Sequence, residues 1–251
     1  MKVLHITDSI NKEAGGVGSV VKTYHTGLLK ANINSRVAAI DYAGDYSGEY
    51  FNSSKRLYEN ILKIQPDIIH VHGLWNRRFK ECLKYSRNDD CKLVLSPYGM
   101  THPWALNKSK FKKFFFKHTV INLNLDYISA LISENDDESA HIAEFFNKPK
   151  KIFTINNPIE TSGMPELKQT LHEDYAYIGR ISEQKGVNKL IDLWSDLRSK
   201  NLTNDSLLNI YGTGYGKYYN EFKRKVNRTA GVRFHGEVYG IAKSNVLLKA
   251  K

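Results

Sequence analysis

From the second residue onward, short β-branched and aliphatic runs alternate with segments whose apolar residues recur every three or four positions, and the alternation persists to residue 155. Only parallel strands joined by crossover helices satisfy that order, so the fold class is α/β with a doubly wound sheet. The spacing predicts strands over 2–7, 36–41, 67–72, 92–96, 127–133 and 152–155 and helices over 19–30, 55–64, 77–85, 108–119 and 137–146. A polar stretch running from Asn156 through Pro158 to Pro165 then interrupts the pattern, as a linker does. The alternation resumes with strands over 175–181, 207–211 and 232–235 and helices over 187–199, 218–227 and 242–249. The expected organisation is a Rossmann-like domain over 1–160, a linker over 161–174 and a partial Rossmann-like domain over 175–251. Three strands are about half of such a sheet, so the second domain is expected to leave a strand edge unpaired.

Composition narrows the partners. At 41% hydrophobic and 25% charged, with 6 prolines in 251 residues, the chain is globular rather than disordered. Its net charge of +11 points to an anionic partner: a phosphate-bearing substrate, an acidic bilayer or nucleic acid. No recognised nucleic-acid module accompanies the charge, and nucleic acid is not the expected partner. Cys82 and Cys91 have neither a disulfide framework nor metal-ligand spacing, which fits a reducing compartment. The opening apolar run is too short for a secretory signal, and the expectation is a cytoplasmic protein.

In a parallel sheet, ligands gather where strands end and helices begin, because backbone N–H groups and the helix dipole converge there. Gly15-Gly16-Val17-Gly18-Ser19 follows the first strand, and its glycines allow close approach to a diphosphate. It is not the dinucleotide fingerprint, since Val21 stands where the third glycine belongs, and a tight turn is the competing reading. Gly212-Thr213-Gly214-Tyr215-Gly216-Lys217 has the look of a P-loop, but the glycine spacing is wrong and Tyr218 follows the lysine. Gly236 marks a third turn after a strand. In Gly179-Arg180-Ile181-Ser182-Glu183-Gln184-Lys185-Gly186, Arg180 and Lys185 stand at the mouth of a helix, where two cations suit a diphosphate; solvated surface charges are the alternative.

Together with His70-Val71-His72-Gly73, Ser96-Pro97-Tyr98-Gly99-Met100 and Pro103-Trp104-Ala105-Leu106, these segments resemble glycosyltransferase family 4, the retaining nucleotide-sugar transferases of the GT-B fold. The stretch from Ser96 to Leu106 is most similar to bacterial enzymes that build O-antigen, capsule or exopolysaccharide on a lipid carrier. The resemblance implies two Rossmann-like domains, a nucleotide-sugar donor and a lipid-linked glycan acceptor. It implies that Gly15 and Gly16 meet the donor diphosphate from one domain while Arg180 and Lys185 neutralise it from the other, with no metal or other cofactor required. Gly212, Gly214 and Gly236 would lie near the nucleoside. In the front-face mechanism proposed for such enzymes, the leaving phosphate oxygen itself assists the acceptor hydroxyl, so the protein supplies position and charge.

His70 and His72 share a strand face, and the resemblance places one of them at the transferred sugar or acceptor; a hydrogen-bonded core histidine is the alternative. Tyr98 stands where many relatives carry His or Arg, and it hydrogen-bonds without positive charge. Relatives also grip the donor with two spaced glutamates in a further segment, whereas no two glutamates of this chain stand eight positions apart as that motif requires. That departure implies an N-terminal piece or a truncated reading frame, and the rival function is a catalytically incompetent remnant that only binds an acceptor or a partner protein.

One segment points to a membrane surface. Between Cys91 and Leu125 there is no acidic residue but there are six lysines. Helical period puts Phe111, Phe114, Phe115 and His118 on one face and leaves Phe116 among lysines, so Lys108, Lys110, Lys112, Lys113, Phe116 and Lys117 are expected to dock on an anionic inner leaflet. The alternative is a core-packed phenylalanine stripe with solvated lysines.

Overall fold

The computed structural model describes residues 1–11, 16–42, 49–52, 56–76, 78–87, 91–147, 151–159 and 174–250. The chain divides into two compact units, Met1–Glu160 and Thr161–Lys251. Gly15 and, apart from Asp174, the expected linker over 161–174 lie outside the described residues.

The first unit is built on a parallel sheet of seven strands: β1 (Lys2–Ser9), β2 (Asn34–Asp41), β3 (Tyr50–Asn52), β4 (Ile68–His72), β5 (Lys92–Ser96), β6 (Ile128–Ser133) and β7 (Ile152–Thr154). Their order is β3-β2-β1-β4-β5-β6-β7. The chain winds outward from β1 to β3, returns, and winds the other way from β4. The reversal opens a crevice at the carboxyl ends of β1 and β4, where doubly wound sheets take their ligands. Both strands are buried on both faces, and their apolar runs are interrupted at His5, Thr7, His70 and His72, which are buried as well. Leu4, Ile6, Ile69, Val71, Leu93 and Leu95 have no exposed surface, and each contributes about 1.5–3 kcal/mol through burial.

The crossover helices are α1 (Gly16–Lys30), α2 (Leu57–Ile64), α3 (Phe79–Ser86) and α6 (Asp136–Phe146). Leu57 and Ile61, one helical turn apart, fix the buried face of α2. Asn135 caps α6 by accepting the Glu138 N–H, and Asp136, Asp137 and Glu138 place negative charge at the positive end of its dipole.

The stretch from 103 to 127, where one helix is expected over 108–119, departs most from expectation. It forms α4 (Pro103–Asn107), α5 (Lys110–Phe116), a π turn over Lys117–Ile121 and a 3-10 stretch over Asn122–Tyr127. Val120 and Ile121 are buried, and they draw Phe116, one turn earlier, inward with them. The Phe116 ring packs edge-on against Trp75 at 5.6 Å between centroids. Phe116 is therefore part of the core margin, which corrects its expected place in the membrane-facing set. Phe111, Phe114 and Phe115 are 92%, 64% and 68% exposed, so the stripe with a core-packing alternative is the one that faces outward.

The second unit carries a parallel sheet in the order β10-β9-β8, formed by β8 (Tyr175–Ile178), β9 (Leu208–Tyr211) and β10 (Val232–Phe234). Its helices are α7 (Val187–Ser199), α8 (Gly216–Arg228) and α9 (Gly240–Leu248). Val187, Ile191 and Trp194 form one stripe of α7 and pack with Leu208, Ile210 and Phe222. Strand β8 stops at Ile178 rather than running to 181, because the chain turns at Gly179. Among the described residues β8 and β10 each have one unpaired edge.

Candidate functional site

Parallel register decides which side chains meet at the carboxyl ends of the first sheet. His5 pairs with His70 across β1 and β4, and His72 pairs with Ser96 across β4 and β5. Because strand faces alternate, His5, His70, His72 and Ser96 all project from one face. The result is a buried polar cluster. His70 Nε2 lies 2.8 Å from Ser96 Oγ, His5 Nδ1 lies 2.9 Å from His72 Nε2, and His72 Nδ1 lies 2.7 Å from the Tyr98 hydroxyl. Tyr24 of α1 packs its ring 5.8–6.3 Å from all three imidazoles.

Burial dominates the electrostatics. The three histidines are between 1% and 6% exposed. Loss of water pushes His70 down to about 3, and burial reinforced by the neighbouring imidazoles holds His5 and His72 well below the ordinary histidine range. All three are neutral at pH 7. Burial also raises the Tyr98 phenol, with smaller contributions from Tyr24, Glu134 and Glu138, so Tyr98 keeps its proton. The cluster thus orients hydrogen bonds and offers lone pairs without holding charge.

Tyr98 is the partly exposed member, and its backbone is left-handed at φ +54°, an uncommon conformation for an aromatic residue. Glu138 holds the turn in place. Its Oε1 accepts the Gly99 N–H and its Oε2 accepts the Glu134 N–H. Two backbone donors explain why a carboxylate stands 6% exposed at the start of α6.

Of the candidates in this unit, His70, His72 and Tyr98 come together, and His70 takes the form of a core histidine bonded to Ser96. Gly16 opens α1, and a Cβ placed on it would meet nothing within 4 Å. Sequence reasoning missed His5, Tyr24, Ser96 and Glu138. A histidine in the middle of the apolar run of β1 was the one available signal.

In the second unit, Arg180 and Lys185 are exposed, and among the described residues neither makes an ion pair. They flank the carboxyl end of β8 and a 3-10 turn over Glu183–Lys185 that leads into α7. The loop carrying them is braced by the next strand end: Gly179 N–H donates to Tyr211 O at 3.0 Å and Ile181 N–H to Thr213 O at 2.7 Å. Gly212 N–H donates in turn to Gly236 O at 2.7 Å. Glycine is required at Gly212, where φ is +149° and a Cβ would stand 1.8 Å from the Gly179 carbonyl oxygen. A Cβ on Gly214 would stand 2.5 Å from Ile181 O, whereas one on Gly236 would meet nothing. These glycines let two strand-end loops close on each other, a structural requirement in its own right.

Two clefts lie elsewhere. One of about 510 Å³ is lined by Lys117, His118, Glu144 and Asn147, and one of about 290 Å³ by Tyr175, Asn209, Tyr211 and Asn245. Among the described candidate residues only Lys117 lines either of them.

No protein-family model matches the chain, and no curated protein matches its sequence. Solved structures do match its fold. HepE of Anabaena, determined in complex with UDP and glucose, is similar over 100% of this chain and 72% of its own, with 16% identity and a TM-score of 0.65. TarM is similar over 97% of this chain and 78% of its own, with 12% identity and a TM-score of 0.67. Sucrose-phosphate synthase of Thermosynechococcus elongatus is similar over 99% of this chain and 73% of its own, with 12% identity and a TM-score of 0.67. At these identities the likeness establishes the fold, and the chain has the α/β fold of the GT-B glycosyltransferases, with a seven-stranded parallel sheet followed by a small second one.

Proposed function

We propose that this chain is a glycosyltransferase that moves a sugar from a nucleotide-sugar donor to a lipid-linked glycan acceptor, in the building of bacterial cell-surface polysaccharide. The observation that carries the donor half of the reading is the pair Arg180 and Lys185, exposed and without an ion-pair partner among the described residues, at a strand end that leads into a helix. As the bond from the anomeric carbon to the leaving phosphate oxygen breaks, negative charge grows on the diphosphate. Two cations placed there stabilise the transition state more than the ground state, which is what raises a rate. The acceptor oxygen forms the new bond and its proton passes to the leaving phosphate oxygen, so the transfer needs no metal. UDP is the first donor nucleotide to test, because HepE and an alpha-glucosyltransferase of similar fold were determined with UDP.

In the first unit, the partly exposed Tyr98, oriented by His72, offers a hydrogen bond rather than charge, which suits a sugar hydroxyl. The exposed Phe111, Phe114 and Phe115, with Lys108, Lys110 and Lys112 exposed beside them, support docking on an anionic bilayer at its cytoplasmic side. Lys108, Lys113 and Lys117 contribute less than Lys110 and Lys112, since they lie over the Trp104, Trp75 and Phe145 rings.

The test is thermal stability of the whole chain with UDP, GDP, dTDP and their sugar conjugates, repeated with Arg180→Ala and Lys185→Ala. A ligand at about 100 times its Kd stabilises the folded form by about 2.7 kcal/mol. A base-selective rise in Tm that both substitutions abolish is the expected result. A folded protein that responds to no nucleotide would overturn the donor assignment.

A further inference from the structure

We propose that His5, His70 and His72 form a binding site for a late first-row divalent metal ion of the zinc class, held by three neutral imidazoles with the fourth position left to water. This site is separate from the diphosphate chemistry and does not depend on the chain being a transferase.

The geometry comes from strand register. Two histidines two apart on β4 and a third opposite them on β1 present one nitrogen each within 4.8 Å of one another, and all three side chains are buried. Tetrahedral ligation at about 2.0–2.1 Å per nitrogen places imidazole centroids about 5 Å apart. His5 stands 5.1 Å from His72 and 5.5 Å from His70 by that measure. His70 and His72 are 4.0 Å apart, so their rings must open by about 1 Å to ligate one ion.

Hydrogen bonds already orient two of the three rings as ligands. In metal sites the second ring nitrogen is held by an outer partner, which fixes the tautomer. Tyr98 takes His72 Nδ1 and leaves Nε2 facing the cluster, and Ser96 takes His70 Nε2. Between His72 Nε2 and His5 Nδ1, at 2.9 Å, a single proton is shared. An ion replaces that proton when His5 moves it to its other nitrogen, so every ring stays neutral. That other nitrogen, His5 Nε2, is buried and has no hydrogen-bond partner among the described residues. The ligand chemistry sets the class: three imidazoles, with no thiolate and no carboxylate, suit Zn²⁺, Co²⁺ or Cu²⁺ and not Mg²⁺ or Ca²⁺.

A second group, His102, Asp137 and His141, is more exposed and supplies the internal control. The experiment titrates the chelator-treated full chain, carrying His141→Ala, with Zn²⁺ and Co²⁺. One equivalent is expected to bind, with the visible absorption of four-coordinate Co²⁺ and three imidazoles in the zinc X-ray absorption shell. His72→Gln and His5→Gln, added singly, are expected to weaken binding at least tenfold. The absorption measurements on the His141→Ala chain need none of these core substitutions, so misfolding of the latter does not decide the outcome. Absence of binding, a shell dominated by oxygen, or equal affinity after His72→Gln in a folded protein would each overturn the site.

Discussion

Acidification offers the sharpest test of the buried cluster. An unfolded chain protonates its histidines near 6.5, whereas the folded chain holds His70 neutral down to about 3 and keeps His5 and His72 well below the usual value. The folded-state values are depressed, so the unfolded state binds more protons. The stabilisation is present above about pH 6.5 and is lost as the pH falls toward the folded-state values. One pH unit is worth about 1.36 kcal/mol per group once the difference is fully developed. Between pH 7 and pH 5 His70 therefore costs about 2 kcal/mol, allowing for incomplete protonation at the upper end. That is a sizeable part of the 5–15 kcal/mol that holds a typical domain together, and His5, His72 and the buried His25, all shifted downward by loss of water, act in the same direction. The window lies above the ordinary carboxylate range, which isolates the histidine contribution. Urea unfolding in the presence of EDTA, followed by tryptophan fluorescence at pH 7, 6 and 5, measures the loss. His70→Gln is expected to remove about 2 kcal/mol of the loss between pH 7 and pH 5. Imidazole proton resonances of the native protein provide the refutation: any of the three histidines titrating near 6.5, or a stability that stays flat from pH 7 to pH 5, would defeat the reasoning.

Other substitutions separate positioning from packing. Glu138→Gln keeps the shape but leaves one of two backbone N–H groups facing an amide donor, so a loss of about 2 kcal/mol is expected in denaturant unfolding, with a changed environment for Tyr98 visible in its ring resonances. Gly212→Ala drives a Cβ against the Gly179 carbonyl and is expected to destabilise the second unit by about 3 kcal/mol, whereas Gly236→Ala, which meets nothing, costs only its left-handed φ, about 1 kcal/mol; Trp194 fluorescence reads both. Replacing Phe111, Phe114 and Phe115 together by Ser is expected to weaken binding to anionic vesicles at least tenfold with little change in Tm. Phe116→Ala reverses that pattern, costing about 2 kcal/mol of stability while vesicle binding persists.

How much was legible depended on the distance over which each signal acts. The order of strands and helices follows from local periodicity, and most elements lie within a few residues of the predicted bounds. Strand β3, three residues long with one buried residue, has too little pattern to announce itself. The face shared by His70 and His72 follows from spacing alone. That His5 stands opposite His70 does not, because the pairing joins residues 65 positions apart and depends on the sheet reversing direction between β1 and β4. Glu138 escaped for the same reason: its partner Gly99 lies 39 positions away, and a carboxylate in the first turn of a helix already has a sufficient local explanation.

Phe116 shows the opposite failure, in which a local rule was applied where it does not hold. A uniform helix from 108 to 119 would put Phe111, Phe114 and Phe115 on the packed face and leave Phe116 among the lysines. Instead the residues that decide are Val120 and Ile121, beyond the helix, which bury fully and turn the preceding segment until Phe116 meets Trp75. Three phenylalanines are then left in water beside exposed lysines. Burying Phe111, Phe114 and Phe115 within the chain would require exposing Phe116, Val120 and Ile121. The core contacts of that second set therefore hold the first set outward. An apolar surface maintained in this way belongs to the folded unit rather than to a loosened one, so the bilayer docking proposed above requires vesicle binding to be lost, not gained, when the unit unfolds.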